Sequence, residues 1–579
     1  MKKTNLSSTL TIIVLLFLAG ALTVSCAKKY KAETAHVAPS VIYPVEEGQA
    51  HLYFWQEKCD KNAVLQNGMA YLDTELVNTQ ITKGFFYEEE GNVVSFVTPT
   101  QILHAGENES FYEKNGEKVE LKAAAFFKKG DTVYLSLEWV AAYSDITYKI
   151  YQDPARVMIE KGSKDTLRLS ALKNTQLRVR PDLQSEILLD LQKGTKVTYC
   201  EGEGNGENGF VRVLTLDGIL GFVRAKDMTE TFFETVTSEY EAPEFTHILM
   251  EDKVVLGWHQ VTNAKANSGL DGVTANAANL NVIAPTWFRI VGEDGSISSL
   301  ADKDYVKKAK EKGLAVWGLL DNFDSEVSSY AVLSSVSARE KLIKEITEAA
   351  KEYELDGINI DFELLSLSTG PYYIEFLKEL STVCRREKLV LSVDNYVPTP
   401  AAAYYDWKSQ GEVVDYVVIM AYDEHYAGSE VAGSVASYGY LTDAVDEIVK
   451  LVPNRQVIMA VPFYTRLWTE KTVDGAWTLT SSALGMQAAQ AELTKNKVTP
   501  EWDLQTRQYY AEYQKGSEIN RIWLEEEDSL REKLLYIKGA DLAGAAVWRL
   551  GLETPQIWKL FDFENLVPKQ TEETSENQE

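Results

Sequence analysis

The segment Asp356-Gly357-Ile358-Asn359-Ile360-Asp361-Phe362-Glu363 concentrates the chemistry of this chain. Ile358, Ile360 and Phe362 alternate with Asn359, Asp361 and Glu363, and the side chains of a strand alternate between its faces. One face can pack on helices, while the other stacks an amide and two carboxylates. Close carboxylates resist joint ionisation, so one of them keeps a proton near neutral pH. A retained proton is what a general acid requires. The plain alternative is a strand edge whose acids cap a helix or face solvent. Three polar positions on one face of an otherwise apolar run argue against it.

Such a strand must be positioned by others. Residues about 245–565 alternate strand-like and helix-like stretches, which implies a parallel sheet with crossover helices. Eight strands are expected in order: Val254–Trp258, Leu280–Pro285, Ala315–Leu319, Gly357–Phe362, Leu389–Val393, Tyr416–Ala421, Val457–Pro462 and Gly544–Trp548. Between the third and fourth, Ser337 with Glu340 reads as a capping box, followed by an apolar stripe of Leu342, Ile346, Ala349 and Tyr353. Eight such units fit a (β/α)8 TIM barrel. A doubly wound open sheet is the alternative, but no glycine-rich phosphate loop follows the first strand.

Chemistry in such barrels sits at the C-terminal ends of the strands. Here those ends carry Trp258, Trp287, Asp361, Glu363, Tyr422, Asp423, Tyr464 and Trp548. Aromatic faces suit the apolar faces of sugar rings, and carboxylates and phenols bond the hydroxyls.

Asp356 to Glu363 resembles the DxxDxDxE signature of glycoside hydrolase family 18. Met420-Ala421-Tyr422-Asp423 resembles its sixth-strand motif and Ala546-Val547-Trp548 its last strand. Pro285-Thr286-Trp287-Phe288, Ile522-Trp523-Leu524 and Ser529-Leu530 are similar to the exported bacterial branch that acts on peptidoglycan, including spore-cortex enzymes. The resemblance implies substrate-assisted retaining hydrolysis, outside the usual two-carboxylate scheme. It implies that Glu363 protonates the glycosidic oxygen while the sugar's own 2-acetamido carbonyl attacks the anomeric carbon. Asp361 would orient and stabilise the resulting oxazolinium, Tyr422 would hydrogen-bond the acetamido group, Asp423 would hold the sugar, and Trp548 would floor the pocket. Asn359, Trp287 and Tyr464 complete the expected substrate-binding set, and no cofactor or metal is implied. The chain departs from the signature at Asn359, where the family has Asp. An amide takes up no charge, so Asp361 loses one coupled partner.

The 579 residues exceed one domain. An apolar content of 45% and a charged content of 25% are ordinary for folded protein. The net charge of −28, from 58 basic and 86 acidic residues, opposes nucleic acid and anionic polymers as partners but not a neutral sugar chain. Cys59, Cys200 and Cys384 are scattered, without metal-ligand spacing, and read as small buried residues.

Lys2 and Lys3 precede an apolar run from about Leu10 to Val24, too short for a span and suited to a signal peptide over 1–25. Thr23-Val24-Ser25-Cys26 resembles a bacterial lipobox, which implies lipidation at Cys26 and an outward-facing membrane anchor; an ordinary cleaved signal or an uncleaved anchor is the alternative. Residues 26–45 read as a polar linker. Residues 46–168 read as a β-rich α+β domain whose end resembles the N-terminal stalk-type domain of copper amine oxidases. Residues 172–229, with Leu177-Arg178-Val179-Arg180-Pro181, Lys193-Gly194-Thr195-Lys196-Val197, Gly209-Phe210-Val211-Arg212-Val213 and Gly221-Phe222-Val223, resemble a bacterial SH3-like domain. Residues 245–565 form the expected catalytic barrel and 568–579 a disordered acidic tail.

The sequence thus points to a monomeric, surface-anchored hydrolase of β-1,4 bonds next to N-acetylglucosamine in peptidoglycan. A chitinase or chitooligosaccharide hydrolase and a non-catalytic glycan-binding protein are the rivals.

Overall fold

Eight short, largely apolar and buried runs pair side by side and close on themselves in the computed structural model, which describes residues 31–473 and 476–569. They are β1 (Val254–His259), β2 (Val282–Ile290), β3 (Ala315–Asp321), β4 (Gly357–Asp361), β5 (Val390–Tyr396), β6 (Tyr416–Met420), β7 (Val457–Pro462) and β8 (Gly544–Trp548). Each is parallel to its neighbours, and β1 pairs with both β2 and β8, so the barrel has no edge. The fold is the multidomain TIM-barrel architecture expected, with β-rich structure ahead of the barrel. The segment expected to be a signal peptide, with Cys26, and most of the expected acidic tail lie outside the described residues.

The period of two divides each strand between two cores. Leu256, Trp258, Ala284, Trp317, Leu319, Val418, Ile458 and Ala546 fill the barrel interior. Val255, Ile283, Ile358, Ile360, Val393, Ile419, Val461 and Val547 face outward into the helix layer. Gly357 at the start of β4 has a packing reason to be glycine: a Cβ there would stand 2.7 Å from the Trp317 ring and 2.8 Å from the Val390 carbonyl oxygen.

Two helices brace β4. The first, α1 (Val336–Glu352), buries Leu342, Ile343, Ile346 and Ala350. Its cap is Ser335, whose hydroxyl accepts from the Ala338 amide, rather than the expected Ser337–Glu340 box. The second, α2 (Gly370–Glu387), starts at a proline-containing turn and buries Tyr373, Phe376, Leu377 and Leu380 against the barrel. Cys384 of α2 is fully buried.

Two sheets are added to the barrel unit. Five antiparallel strands between Tyr464 and Leu524, with the helix Met486–Asn496, stand between β7 and β8, where the sequence reading expected a simple crossover. A second five-stranded sheet spans Phe86–Glu120 and belongs to the same compact unit as the barrel, although the sequence reading placed it within a domain over 46–168. Alternation marks strands but does not say which core they join, and the reason here is a buried ion cluster. Arg339 of α1 donates from Nη1 and Nη2 to Glu88 of this sheet at 2.5 and 2.8 Å, and from Nε and Nη2 to Glu379 of α2 at 3.1 and 2.9 Å. All three side chains are at most 1% exposed.

The other unit comprises the described residues up to Thr82 and Tyr134–Glu241. Gln49–Phe54 pairs in parallel with Arg156–Lys161 and antiparallel with Ala63–Gln66. A seven-stranded antiparallel sheet follows over Lys164–Val236, with Leu177, Val197, Val213 and Val223 in its core. The described part of the expected linker is not free: the Glu33 and Val37 amides donate to the Leu183 and Ile187 carbonyls, because an edge of that sheet offers unpaired acceptors. Among the described residues, no helix is long and apolar enough to cross a membrane.

Removing one partner from a buried ion cluster leaves uncompensated charge and costs about 3–5 kcal/mol. Arg339→Met is therefore expected to lower the urea midpoint of the barrel unit by a matching amount. An unchanged midpoint would show that the Glu88 and Glu379 carboxyls do not depend on that guanidinium.

Candidate active site

Polar side chains replace the apolar interior at the C-terminal ends of three adjacent strands. Asp321 on β3 is in register with Asp361 on β4, and Ile360 is in register with Val393, so Asp361 and Asp394 follow side by side on β4 and β5. One step down, Asn359 is in register with Ser392. Because same-face residues are two apart, Asn359 and Asp361 point the same way, as do Ser392 and Asp394.

The lower layer is fully hydrogen-bonded. Trp258 Nε1 of β1 donates to Asn359 Oδ1 at 3.0 Å, and Asn359 Nδ2 donates to Ser392 Oγ at 3.0 Å and to Asp394 Oδ1 at 2.8 Å. Asn359 is completely buried. It does not line the cavity, in contrast to the substrate-binding position expected for it; it ties β1, β4 and β5 together beneath the cavity floor.

The upper layer is unevenly compensated. Asp321 is held by Arg289 of β2 through a two-pronged contact, Nε to Oδ1 at 2.6 Å and Nη2 to Oδ2 at 3.0 Å. Among the described residues, no cation is paired with Asp361 or Asp394 in this way. Asp361 Oδ1 and Asp394 Oδ2 are buried with no hydrogen-bond partner among the described residues. Burial pushes the Asp361 carboxyl well above the usual carboxylate range, and Asp394, Glu363 and Asp321 add to the shift in that order. Burial likewise pushes Asp394 up, against the stabilising hydrogen bond from Asn359.

Glu363 lies just past β4, where the chain leaves the strand. Its backbone amide donates to Asn322 Oδ1 at 3.0 Å, and Asn322 is itself fixed by Ser329 at 2.9 Å. Burial raises the Glu363 carboxyl above its ordinary range; the Tyr396 hydroxyl, which donates to Glu363 Oε2, opposes that, and the Asp423 and Asp321 charges reinforce it.

These groups face a cavity of about 650 Å³ whose walls include Trp258, Asp361, Glu363, Asp394, Tyr396, Tyr422, Asp423 and Trp548. Trp548 meets Trp258 edge to face, with ring centroids 5.9 Å apart. Asp423 takes a left-handed backbone, φ 59°, and its carboxylate accepts from the Tyr464 hydroxyl. Tyr464 is only 7% exposed and lies behind Asp423 and Tyr422, its ring 6.4 Å from that of Tyr422. Trp287 does not reach the cavity, contrary to expectation. A register shift between Thr286 and Phe288 accompanies an outward turn of its indole, which packs on Tyr305 and donates to Asn267 Oδ1 at 2.8 Å.

Asp394, Tyr396, Asp321 and Asn322 were not singled out in the sequence. In the run Val390-Leu391-Ser392-Val393-Asp394-Asn395-Tyr396, Ser392 and Asp394 alternate with Leu391 and Val393, the same polar–apolar signal as in β4. Ending that strand at Val393 hid it. Tyr404, Tyr426 and Tyr440, from loops and a helix around the rim, also line the cavity, and no local pattern marks them. Among the described residues, no group of three or more His, Cys, Asp or Glu side chains is arranged to hold a metal ion.

An uncharacterised glycosylase of Bacillus subtilis, YvbX, is 27% identical over 296 residues, covering 48% of this chain and 83% of that protein. The cortical fragment-lytic enzyme of Bacillus subtilis is 27% identical over 247 residues, covering 42% of this chain and 57% of the enzyme's length. The solved spore cortex-lytic enzyme SleL of Bacillus cereus shares the fold, with a TM-score of 0.50 at 20% identity, over 58% of this chain and 78% of that one. The model for glycosyl hydrolases family 18 matches residues 258–553, from the end of β1 to just past β8, and the chain belongs to that family of glycosidases.

Proposed function

We propose that the barrel hydrolyses β-1,4 bonds next to N-acetylglucosamine in peptidoglycan by substrate-assisted retention. The observation that carries this reading is the pairing of Glu363, at the cavity wall with a raised carboxyl, with the unpartnered buried oxygen of Asp361. Glu363 gives its proton to the leaving glycosidic oxygen as that bond breaks. The substrate's acetamido oxygen bonds to the anomeric carbon, forming an oxazolinium. The Asp361 carboxylate accepts the acetamido N–H and stabilises the positive charge. Water then attacks the anomeric carbon, Glu363 takes its proton, and the ring opens with retained configuration. Tyr422 bonds the acetamido group, Asp423, backed by Tyr464, holds the sugar, and Trp548 floors the pocket.

Peptidoglycan is favoured over chitin by the relatedness to the cortical fragment-lytic enzyme. The accompanying parts fit a wall enzyme in the same reading: a lipid anchor at Cys26 on the outer face of the cell membrane, an SH3-like module over 172–229, a stalk-like module ahead of it, and action as a monomer. Chitin oligomers are the competing substrate.

Glu363→Gln keeps the shape and removes the proton. It is expected to lower turnover about 10²–10⁴-fold while leaving glycan binding intact. Purified peptidoglycan and chitin oligomers digested side by side, with products read by mass and reducing end, check this. Muropeptides ending in N-acetylglucosamine support the proposal; cleavage of chitin alone moves the substrate to chitin; unchanged turnover in Glu363→Gln removes Glu363 as the acid.

The Tyr396 hydroxyl stabilises the ionised form of Glu363. Without it the carboxyl rises further and stays protonated to higher pH. Since the acid works protonated, activity present at low pH is lost as pH rises through that value. Tyr396→Phe is therefore expected to move the alkaline limb of kcat/KM to higher pH, and an unmoved or lowered limb would contradict this coupling.

A further inference from the structure

Three acids stand abreast on β3, β4 and β5, yet only one is matched by a cation. Arg289 neutralises Asp321. Asp361 and Asp394, 7% and 1% exposed, follow the last registered pair of β4 and β5 and so sit on adjacent strands, about 4.8 Å apart along the hydrogen-bonding direction. The groups that face Asp394 are Asp361 and Glu363 of the β4 end, Tyr373 of α2 and Tyr422 past β6. None of these is a cation. From below, Asn359 binds one oxygen of Asp394 and leaves the other open.

Two uncompensated carboxylates this close cannot both ionise in a dry site. We propose that Asp394 is a positioning residue for Asp361: the two share one proton, so that Asp361 is charged toward substrate when Asp394 holds it. The amide of Asn359 cannot accept that proton. It fixes Asp394 instead, by donating to Oδ1 and leaving Oδ2 as the site for the proton. The proton moves within the pair and none is consumed. The shared proton lets a buried Asp361 gain charge as the oxazolinium forms, without importing a counter-ion. Burial raises both carboxyls, Asp394 adds to the rise of Asp361 and Glu363 to that of Asp394, in keeping with this arrangement.

The kinetic part rests on the hydrolytic reading above; the protonation part does not. The test compares wild type, Asp394→Asn and the exchange variant Asn359→Asp with Asp394→Asn, which returns a second carboxylate to the pair from β4. Infrared difference spectra with carbon-13-labelled aspartate carboxyls report protonated aspartate at neutral pH without any substrate. Wild type is expected to show such a band and Asp394→Asn to lose it, with fold retention checked by urea titration. In turnover, Asp394→Asn is expected to lower kcat about ten- to a hundredfold with little change in KM. Its acid limb moves to higher pH, because Asp361 has lost the protonated neighbour that hydrogen-bonds its charged form. The exchange variant is expected to recover most of the lost kcat. A wild type without protonated aspartate at neutral pH overturns the proposal. So does an Asp394→Asn enzyme that folds and keeps both the band and the acid limb, even if kcat falls. A wild type that shows the band but cleaves no glycan retires the hydrolytic reading and leaves the shared proton standing.

Discussion

The barrel depends on keeping unpaired carboxyl groups dry. Its interior is apolar below the layer of Asn359 and Ser392, and above that layer Asp321, Asp361 and Asp394 appear in one row. Burying acids is costly unless hydrogen bonds or cations compensate. Arg289 supplies a cation for the first. For the other two the fold supplies a hydrogen-bonded floor, in which Trp258, Asn359, Ser392 and Asp394 link three strands. That floor ties the three strands together and leaves one buried oxygen of Asp361 and one of Asp394 without a hydrogen-bond partner among the described residues.

The replacement of a signature Asp by Asn359 takes its meaning from this floor. An Asp here would add a further buried charge beside Asp361 and Asp394, facing the Trp258 indole N–H and the Ser392 hydroxyl. An amide can accept from Trp258 and donate to Asp394 at once, because it carries both functions on one planar group. The carboxylate next to Asp361 is on the neighbouring strand instead. Strand four therefore keeps the spacing of its acids while the charge distribution around them has moved to strand five.

The outer supports follow the same physics at a distance. Helices α1 and α2 hold β4 through Leu342, Ile346, Phe376 and Leu377, and Arg339 joins both helices to Glu88 of the added sheet. Covering a fully buried guanidinium requires two carboxylates and the Leu333 carbonyl, which draws residues 83–133 into the barrel unit. The sheet between β7 and β8 contributes Tyr464, whose hydroxyl holds Asp423 at the cavity wall.

Much of this was written in local pattern. Period-two alternation and apolar runs located all eight barrel strands to within a few residues, and the order Asn359, Asp361, Glu363 placed two acids and an amide on one face before any neighbour was known. Pattern alone fixed which face of a strand a residue takes, because backbone geometry enforces it. It did not fix what stands across the barrel. Trp287 looked like a sugar platform, but it turns outward beside a register shift in β2; the fifth strand was expected to end at Val393, but β5 runs on to Tyr396 and brings Asp394 beside Asp361. The joining of residues 83–133 to the barrel turned on one arginine paired with glutamates 251 and 40 positions away. Local pattern was enough for the barrel, the family and the acids of strand four, since these rest on interactions within a strand or one turn of helix. Which acids are paired, which are left without a partner and which aromatics reach the cavity came from the fold as a whole, since those depend on the desolvation and partners that distant segments bring together.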